Sequence, residues 1–122
     1  MFEISVVRDF SAAHNLRHYQ GKCEKLHGHN WQVEAVFAAP DLGSSEMVLD
    51  FKDAGKLLEE ILEQFDHQYI NETEYFSRVN PTSENIARYI YRNLAEKIKA
   101  QNCRVCRVSV WETQKNRATY YE

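Results

Sequence analysis

Residues 2–14 alternate between apolar and other side chains, and the series ends on a histidine. Phe2, Ile4, Val6, Phe10 and Ala12 share one face of an extended strand, Arg8 is the exception, and His14 closes the row. A second alternating run sets Trp31, Val33, Ala35 and Phe37 on one side and Asn30, Gln32 and Glu34 on the other. Two such runs demand a sheet with one buried face, so something apolar must cover it. Pro40, Asp41 and the stretch Gly43 to Ser45 mark the turn after them.

The cover is legible further on. Met47 to Phe51 reads as a short extended piece. Asp50 then caps a helix with Leu57, Leu58, Ile61, Leu62 and Phe65 at helical spacing. Asp66 to Asn71 close that helix and residues 72–80 form a loop. Pro81-Thr82-Ser83-Glu84 is a helix start, and Ile86, Ile90, Leu94 and Ile98 carry a second helix to about Gln101. Cys103 to Glu112 alternates again, with Cys106, Val108 and Val110 on the apolar face that Glu112 extends. Arg117 to Glu122 is the last strand, after a turn near Lys115 and Asn116. The order β-β-α-α-β-β specifies an α+β fold, an antiparallel four-stranded sheet with two helices on one face, as a single domain over 1–122. Such a sheet leaves edges through which copies of the chain can associate.

The 122 residues are 43% hydrophobic and 27% charged, as in an ordinary globular protein. A net charge of −3 argues against nonspecific nucleic-acid binding. No apolar run approaches the ~20 residues of a membrane span, and MFEISVVRDF lacks signal-peptide architecture. Three cysteines, an odd number, fit a reduced cytoplasmic protein better than a disulfide scaffold.

Chemistry concentrates in CEKLHGHN, Cys23 to Asn30. His27 and His29 project from one strand face about 7 Å apart, and Gly28 between them lets the backbone bend to converge the rings. His14 ends the matching face of the first strand. Three neutral imidazoles with one open position make a catalytic zinc arrangement, while Cys23 as a fourth ligand would close it into a structural one. Spacing leaves both open, and three imidazoles also suit other late transition metals. His18 lies in a polar stretch and is assigned to the surface. Asp66-His67 is either a helix C-terminus with a favourable histidine or a carboxylate–imidazole pair serving a thiol. Cys103-Arg104-Val105-Cys106 matches CxxC, but its cysteines face opposite sides of a strand and it is rejected as a site. Glu112 is either a surface glutamate at a turn or a half-buried carboxylate needing donors, which a heterocycle with a parallel pair of N–H groups would supply.

His14 in FSAAH, CEKLHGHN, FDH at Phe65 to His67, PTSEN at Pro81 to Asn85 and WET at Trp111 to Thr113 together resemble the 6-pyruvoyl-tetrahydropterin synthase superfamily. The resemblance covers nearly the whole chain, in order. Cysteine four residues before the first histidine of HGH resembles the bacterial 6-carboxytetrahydropterin synthase branch of queuosine and 7-deazaguanine biosynthesis. Pyruvoyl-forming relatives place that cysteine further upstream, and a folate-pathway branch has glutamate instead. The resemblance implies the T-fold (tunnelling fold), an oligomeric barrel built as a trimer or a dimer of trimers with active sites between subunits. It implies zinc as cofactor on His14, His27 and His29, and 7,8-dihydroneopterin triphosphate as substrate. It further implies Cys23 as catalytic base, Asp66 and His67 as its relay, and Glu112 as pterin anchor. Thr82, Ser83 and Glu84 approach the pterin, with Thr113 a lesser neighbour. Lys22, Lys25, Lys115 and Arg117 are available to the triphosphate. A non-catalytic zinc- and pterin-binding module is the rival from another class.

Overall fold

The computed structural model describes residues 1–122. The first alternating run is strand β1, Phe2–His14, and the second is β2, His27–Ala39. They pair antiparallel without interruption, from Phe2 opposite Ala39 to His14 opposite His27. Helices α1, Phe51–Leu62, and α2, Ser83–Lys97, follow, and then β3, Arg104–Thr113, and β4, Asn116–Tyr120. The sheet order is β1-β2-β3-β4 with every neighbour antiparallel. α1 packs on β1, and α2 on β3 and β4, so both helices cover one face.

That face forms because the apolar rows of strands and helices match. Trp31, Val33, Ala35 and Phe37 are fully buried against Leu58, Ile61, Ile86, Ile90 and Leu94. Phe10 stacks on Trp31 with ring centroids 5.7 Å apart, and Phe65 leans against Phe10 at 5.8 Å. Arg8, the exception in the β1 row, pairs with Glu59 of α1 at 2.7 Å. Its guanidinium fills the space at Gly55, where a Cβ would stand 2.0 Å from Arg8 Nη2. The charge thus sits at the margin of the layer, where glycine clears room for it.

Three expectations need correcting. Met47 to Leu49 is a series of bends, not an extended piece, and Phe51 opens α1. No strand lies beside this segment to pair with it, although Val48 and Leu49 still pack on the core. Asp50 does cap the helix, accepting from the Lys52 N–H at 2.7 Å. The second helix stops at Lys97, short of Gln101, with Ile98 buried at its C-cap. The register of β2 with β3 shifts between Val36 and Phe37, where Arg107 and Val105 are the respective partners. That bulge gives the inner face to Val105 and turns Cys106 outward, its Sγ 3.6 Å from Glu3 Oε1.

The end of β1 is laced to the chain after α1. His67 N–H donates to Ser11 O at 2.6 Å, Ala13 N–H to Gln68 O at 3.1 Å, and Asn15 N–H to Asn71 Oδ1 at 3.0 Å. Residues 66–71 therefore travel with the end of the strand that carries His14. No helix is long and apolar enough to cross a membrane.

Phe65 joins the sheet, the loop and α2 through Phe10, Phe76 and Tyr89 respectively. Phe65→Ala should lower stability to denaturant by about 3–5 kcal/mol. A loss under about 1 kcal/mol would contradict its place at that junction.

Candidate metal centre and active site

His14 and His27 are directly opposed in the β1–β2 ladder, and His29 is opposed to Ala12 two residues along. The ring centroids of the three histidines lie 4.6, 5.5 and 4.8 Å apart, all edge to face. Trp31 floors the group, 4.8 Å from His14 and 5.4 Å from His29, with its own N–H given to Ala12 O at 3.2 Å. Gly28 does not work by bending the strand. Its backbone is ordinary, and a Cβ there would meet nothing closer than Ala12 O at 3.9 Å. It lines a depression of about 530 Å³ together with Ser11, His29 and His67.

The proton positions follow from the backbone. His14 Nδ1 lies 2.8 Å from Pro81 O, and His27 Nδ1 lies 2.6 Å from Lys25 O. A carbonyl only accepts, so each Nδ1 carries the hydrogen and each neutral ring keeps its lone pair on Nε2. Those two Nε2 atoms are 3.1 Å apart. Glu112 Oε1 joins them, 3.1 Å from His14 Nε2, 3.8 Å from His27 Nε2 and 2.9 Å from His29 Nε2. Burial holds both His14 and His29 below the usual imidazole pKa, despite the opposing pull of the Glu112 charge, so both rings are neutral at pH 7. His29 Nε2 is buried, and although Glu112 Oε1 lies 2.9 Å away the two are not aligned as a hydrogen bond, so the atom has no hydrogen-bond partner.

Lone pairs aimed at one another repel unless a cation sits among them. The four donor atoms all lie within 4.8 Å of one another. A tetrahedral ion with metal–nitrogen bonds of about 2.1 Å holds its ligand atoms roughly 3.4 Å apart, close to the spacing found. The donor set of three imidazoles and a carboxylate fits zinc and other late transition metals. By geometry and by charge the group could hold a metal ion.

The sequence of this chain matches the family model described as 6-pyruvoyl tetrahydropterin synthase over residues 3–122. The chain belongs to that family. A Synechocystis relative, 36% identical over 71% of this chain and 70% of its own length, is called a 6-carboxy-5,6,7,8-tetrahydropterin synthase. A Haemophilus influenzae protein with the same name is 30% identical over the full length of both chains. The solved structure of Caenorhabditis elegans 6-pyruvoyl tetrahydropterin synthase superposes with a TM-score of 0.87 at 28% identity, over 99% of this chain and 95% of that one. The family architecture is the T-fold, and its members are enzymes acting on pterins.

The remaining expected site residues fall into four places. His14, Glu112, Thr82, Ser83 and Glu84 line one cavity of about 300 Å³, with Arg117 at its side. Thr82 is also the N-cap of α2, accepting from the Asn85 N–H at 3.1 Å. Thr113 lies elsewhere, in a depression with Trp111 and Gln32, its Oγ1 accepting from Lys115 and Asn116 at 3.3 Å.

Asp66 and His67, adjacent in sequence, do touch: His67 Nδ1 lies 3.1 Å from Asp66 Oδ1. The left-handed backbone of His67, φ 59°, folds its ring back onto its neighbour. Asp66 also accepts from the Ser11 N–H at 2.9 Å, which together with His67 holds its carboxyl below the usual range. Half-buried Cys23 sits in a 3₁₀ turn, Lys22–Glu24, outside the group of four donors. The fourth member of that group is Glu112. His18 is exposed, as its polar surroundings implied.

Glu112's place beside the histidines was not read from the sequence, nor were the carbonyls of Pro81 and Lys25. The signal for Glu112 was its position at the end of the β3 apolar face. The missing fact was the pairing of Gln32 with Trp111, which brings that end beside the histidines.

Acid should reveal the neutral rings. In metal-free protein, folded His14 and His29 resist protons that the unfolded chain accepts below about pH 6.5, so stability falls with pH through that window. Thermal midpoints of metal-free protein should be lower at pH 5.5 than at pH 7.5. A rise on acidification would contradict the assignment.

Proposed function

We propose that this protein is a zinc-dependent lyase that converts 7,8-dihydroneopterin triphosphate and one water to 6-carboxy-5,6,7,8-tetrahydropterin, triphosphate and acetaldehyde. The observation that carries the reading is a cavity in which His14 and Glu112 of the four-donor group meet the N-terminus of α2, in a chain whose relatives bear the carboxy-forming name. The four-residue interval from Cys23 to His27 favours the same branch. Zinc is the reading for the metal because nitrogen donors with one oxygen suit it and it polarises oxygen without redox chemistry.

In this reading His14, His27 and His29 would hold the metal, which would supply Lewis acidity at the substrate side chain. The Glu112 carboxylate accepts two parallel hydrogen bonds from the pterin N–H and amino groups and so fixes which side-chain carbon faces the metal. Thr82 and Ser83 border the ring, and Glu84 lies at the cavity rim; Thr113 takes no part in this cavity. The Cys23 thiolate is the base that removes the side-chain proton. His67, oriented by Asp66, carries protons to and from the thiol.

Within one chain, Asp66 and His67 bond to each other and to β1, not to Cys23. A set completed across subunits accounts for this. β1 and β4, the outer strands of the sheet, are where further copies would continue it into a trimeric barrel, stacked as a homohexamer. The basic residues nearest the motifs, Lys22, Lys25, Lys115 and Arg117, are the candidates for holding triphosphate. We place the enzyme, one domain over 1–122, in the cytoplasm and in queuosine formation.

A second reading is the pyruvoyl-forming reaction, favoured by the fit to the Caenorhabditis elegans structure. Incubating zinc-loaded protein with dihydroneopterin triphosphate separates the two. Acetaldehyde with a carboxylated pterin is expected, a pyruvoyl pterin would give the second reading, and unchanged substrate would sink both. Cys23→Ala should abolish turnover while retaining about one zinc per chain. Zinc lost together with the thiol would make Cys23 a ligand.

A further inference from the structure

Strand-like pairing continues past the end of β1. Asn15 and Arg17 each exchange two hydrogen bonds with a single side-chain amide. Asn71 Oδ1 accepts from the Asn15 N–H at 3.0 Å, and its Nδ2 donates to Asn15 O at 2.9 Å. Asn80 repeats the pattern on Arg17, accepting from the N–H at 2.9 Å and donating to the carbonyl at 3.0 Å. Paired residues of an antiparallel ladder exchange bonds in the same way, so the two amides stand in for a missing strand. Aspartate could not donate to the carbonyl, and a hydroxyl offers one atom where two are needed.

Between them Leu16 gives its N–H to Cys23 O at 2.7 Å. The turn that carries Cys23 is otherwise closed on itself, with Glu24 N–H donating to Gly21 O and Lys25 N–H to Lys22 O, both at 3.2 Å. No other hydrogen bond joins residues 18–24 to the body of the fold. His18 to Lys22 are exposed, and Cys23 is the first residue after them to be half-buried.

We propose that Asn71 and Asn80 are positioning residues for the Cys23 thiol, holding residues 15–17 extended so that Leu16 can fasten the Cys23 turn. This rests on the reading of Cys23 as the base. Both amides come from segments fixed by other contacts. Asn71 is buried next to fully buried Ile70. The Asn80 carbonyl accepts from the Thr82 N–H at 2.8 Å and from Asn85 Nδ2 at 2.9 Å. Changing the Asn80 side chain therefore removes the bonds to Arg17 and leaves the start of α2 in place. Arg17 adds to the grip, its Nη2 donating to Phe76 O at 2.6 Å and Val79 O at 2.8 Å. The loop that carries Asp66 and His67 thus also fixes the thiol, although neither of those residues bonds the Cys23 turn. Placement matters because a shift of about 1 Å in a reacting group can cost roughly 10²-fold in rate.

The test uses zinc-loaded protein carrying Cys103→Ser and Cys106→Ser, which leaves Cys23 as the one thiol. Asn80→Ala, at the less buried position, is the main variant and Asn71→Ala the second. Asn93→Ala, which loses an amide bond to Tyr89 O of 2.8 Å within α2, is the control. Circular dichroism and zinc content check that each variant folds and keeps its metal. Both main variants should speed hydrogen exchange of the Leu16 amide by at least about tenfold, and the control should not. Alkylation of Cys23 by iodoacetamide should rise by at least about threefold as the half-buried thiol is uncovered. With dihydroneopterin triphosphate, kcat should fall by at least about tenfold while KM changes by less than about twofold. Wild-type exchange at Leu16 in Asn80→Ala would overturn the proposal. So would faster exchange with alkylation or kcat at the wild-type value, since the amides would then be structural alone. Equal changes in Asn93→Ala would overturn it too. A wild type that binds zinc but turns over no pterin triphosphate would remove the reading of Cys23 as base; exchange and alkylation would still decide whether the amides place the thiol.

Discussion

The ladder between β1 and β2 is the constraint on which the rest of the molecule depends. It pairs every residue of Phe2–His14 with one of His27–Ala39 in a single antiparallel register. Because side chains alternate, a slip of one residue would turn the whole inner row outward. The same alignment sets Phe10 against Trp31, stacked with planes 2° apart, and His14 against His27 two steps from the end of the core. Hydrophobic packing and metal-ligand convergence are therefore fixed by one choice of register. The core cannot form correctly without also assembling the histidines.

Convergence alone would be unfavourable, and the fold restrains it with backbone groups. The carbonyls of Pro81 and Lys25 take the Nδ1 protons and leave Nε2 lone pairs facing a common centre. Pro81 immediately precedes Thr82, the cap of α2, so one short segment orients His14 and also delivers the helix terminus to the cavity beside Glu112. On the other side, residues 66–71 are bonded along the end of β1, which ties the Asp66–His67 pair to the same strand end as His14. Each chemical group of the site is thus attached to the terminus of β1 by a route of one or two hydrogen bonds.

Much of this was legible in the sequence where periodicity is strong. The row ending in His14, the HGH of the second strand and the Asp50 and Thr82 caps appear where the pattern puts them. What escaped were features set by pairing between distant segments. The bulge that turns Cys106 outward arises from the β2–β3 register, and no local pattern encodes it. The contact between Asp66 and His67 accompanies a left-handed histidine, and both residues are bonded to Ser11 in the distant strand β1. Glu112 was readable as a carboxylate at the end of an apolar row, but its approach to the histidines depends on which strand lies beside which.

The central claim is that the Nε2 atoms of His14, His27 and His29 converge on a single metal ion. Anomalous scattering from crystals of the purified protein, with data on either side of the zinc absorption edge, tests it most directly. One strong peak per chain, within bonding distance of Nε2 of His14, His27 and His29 and absent below the edge, is the result predicted. No peak there, or a peak at Cys23 or at the Cys103–Cys106 strand instead, would contradict the account.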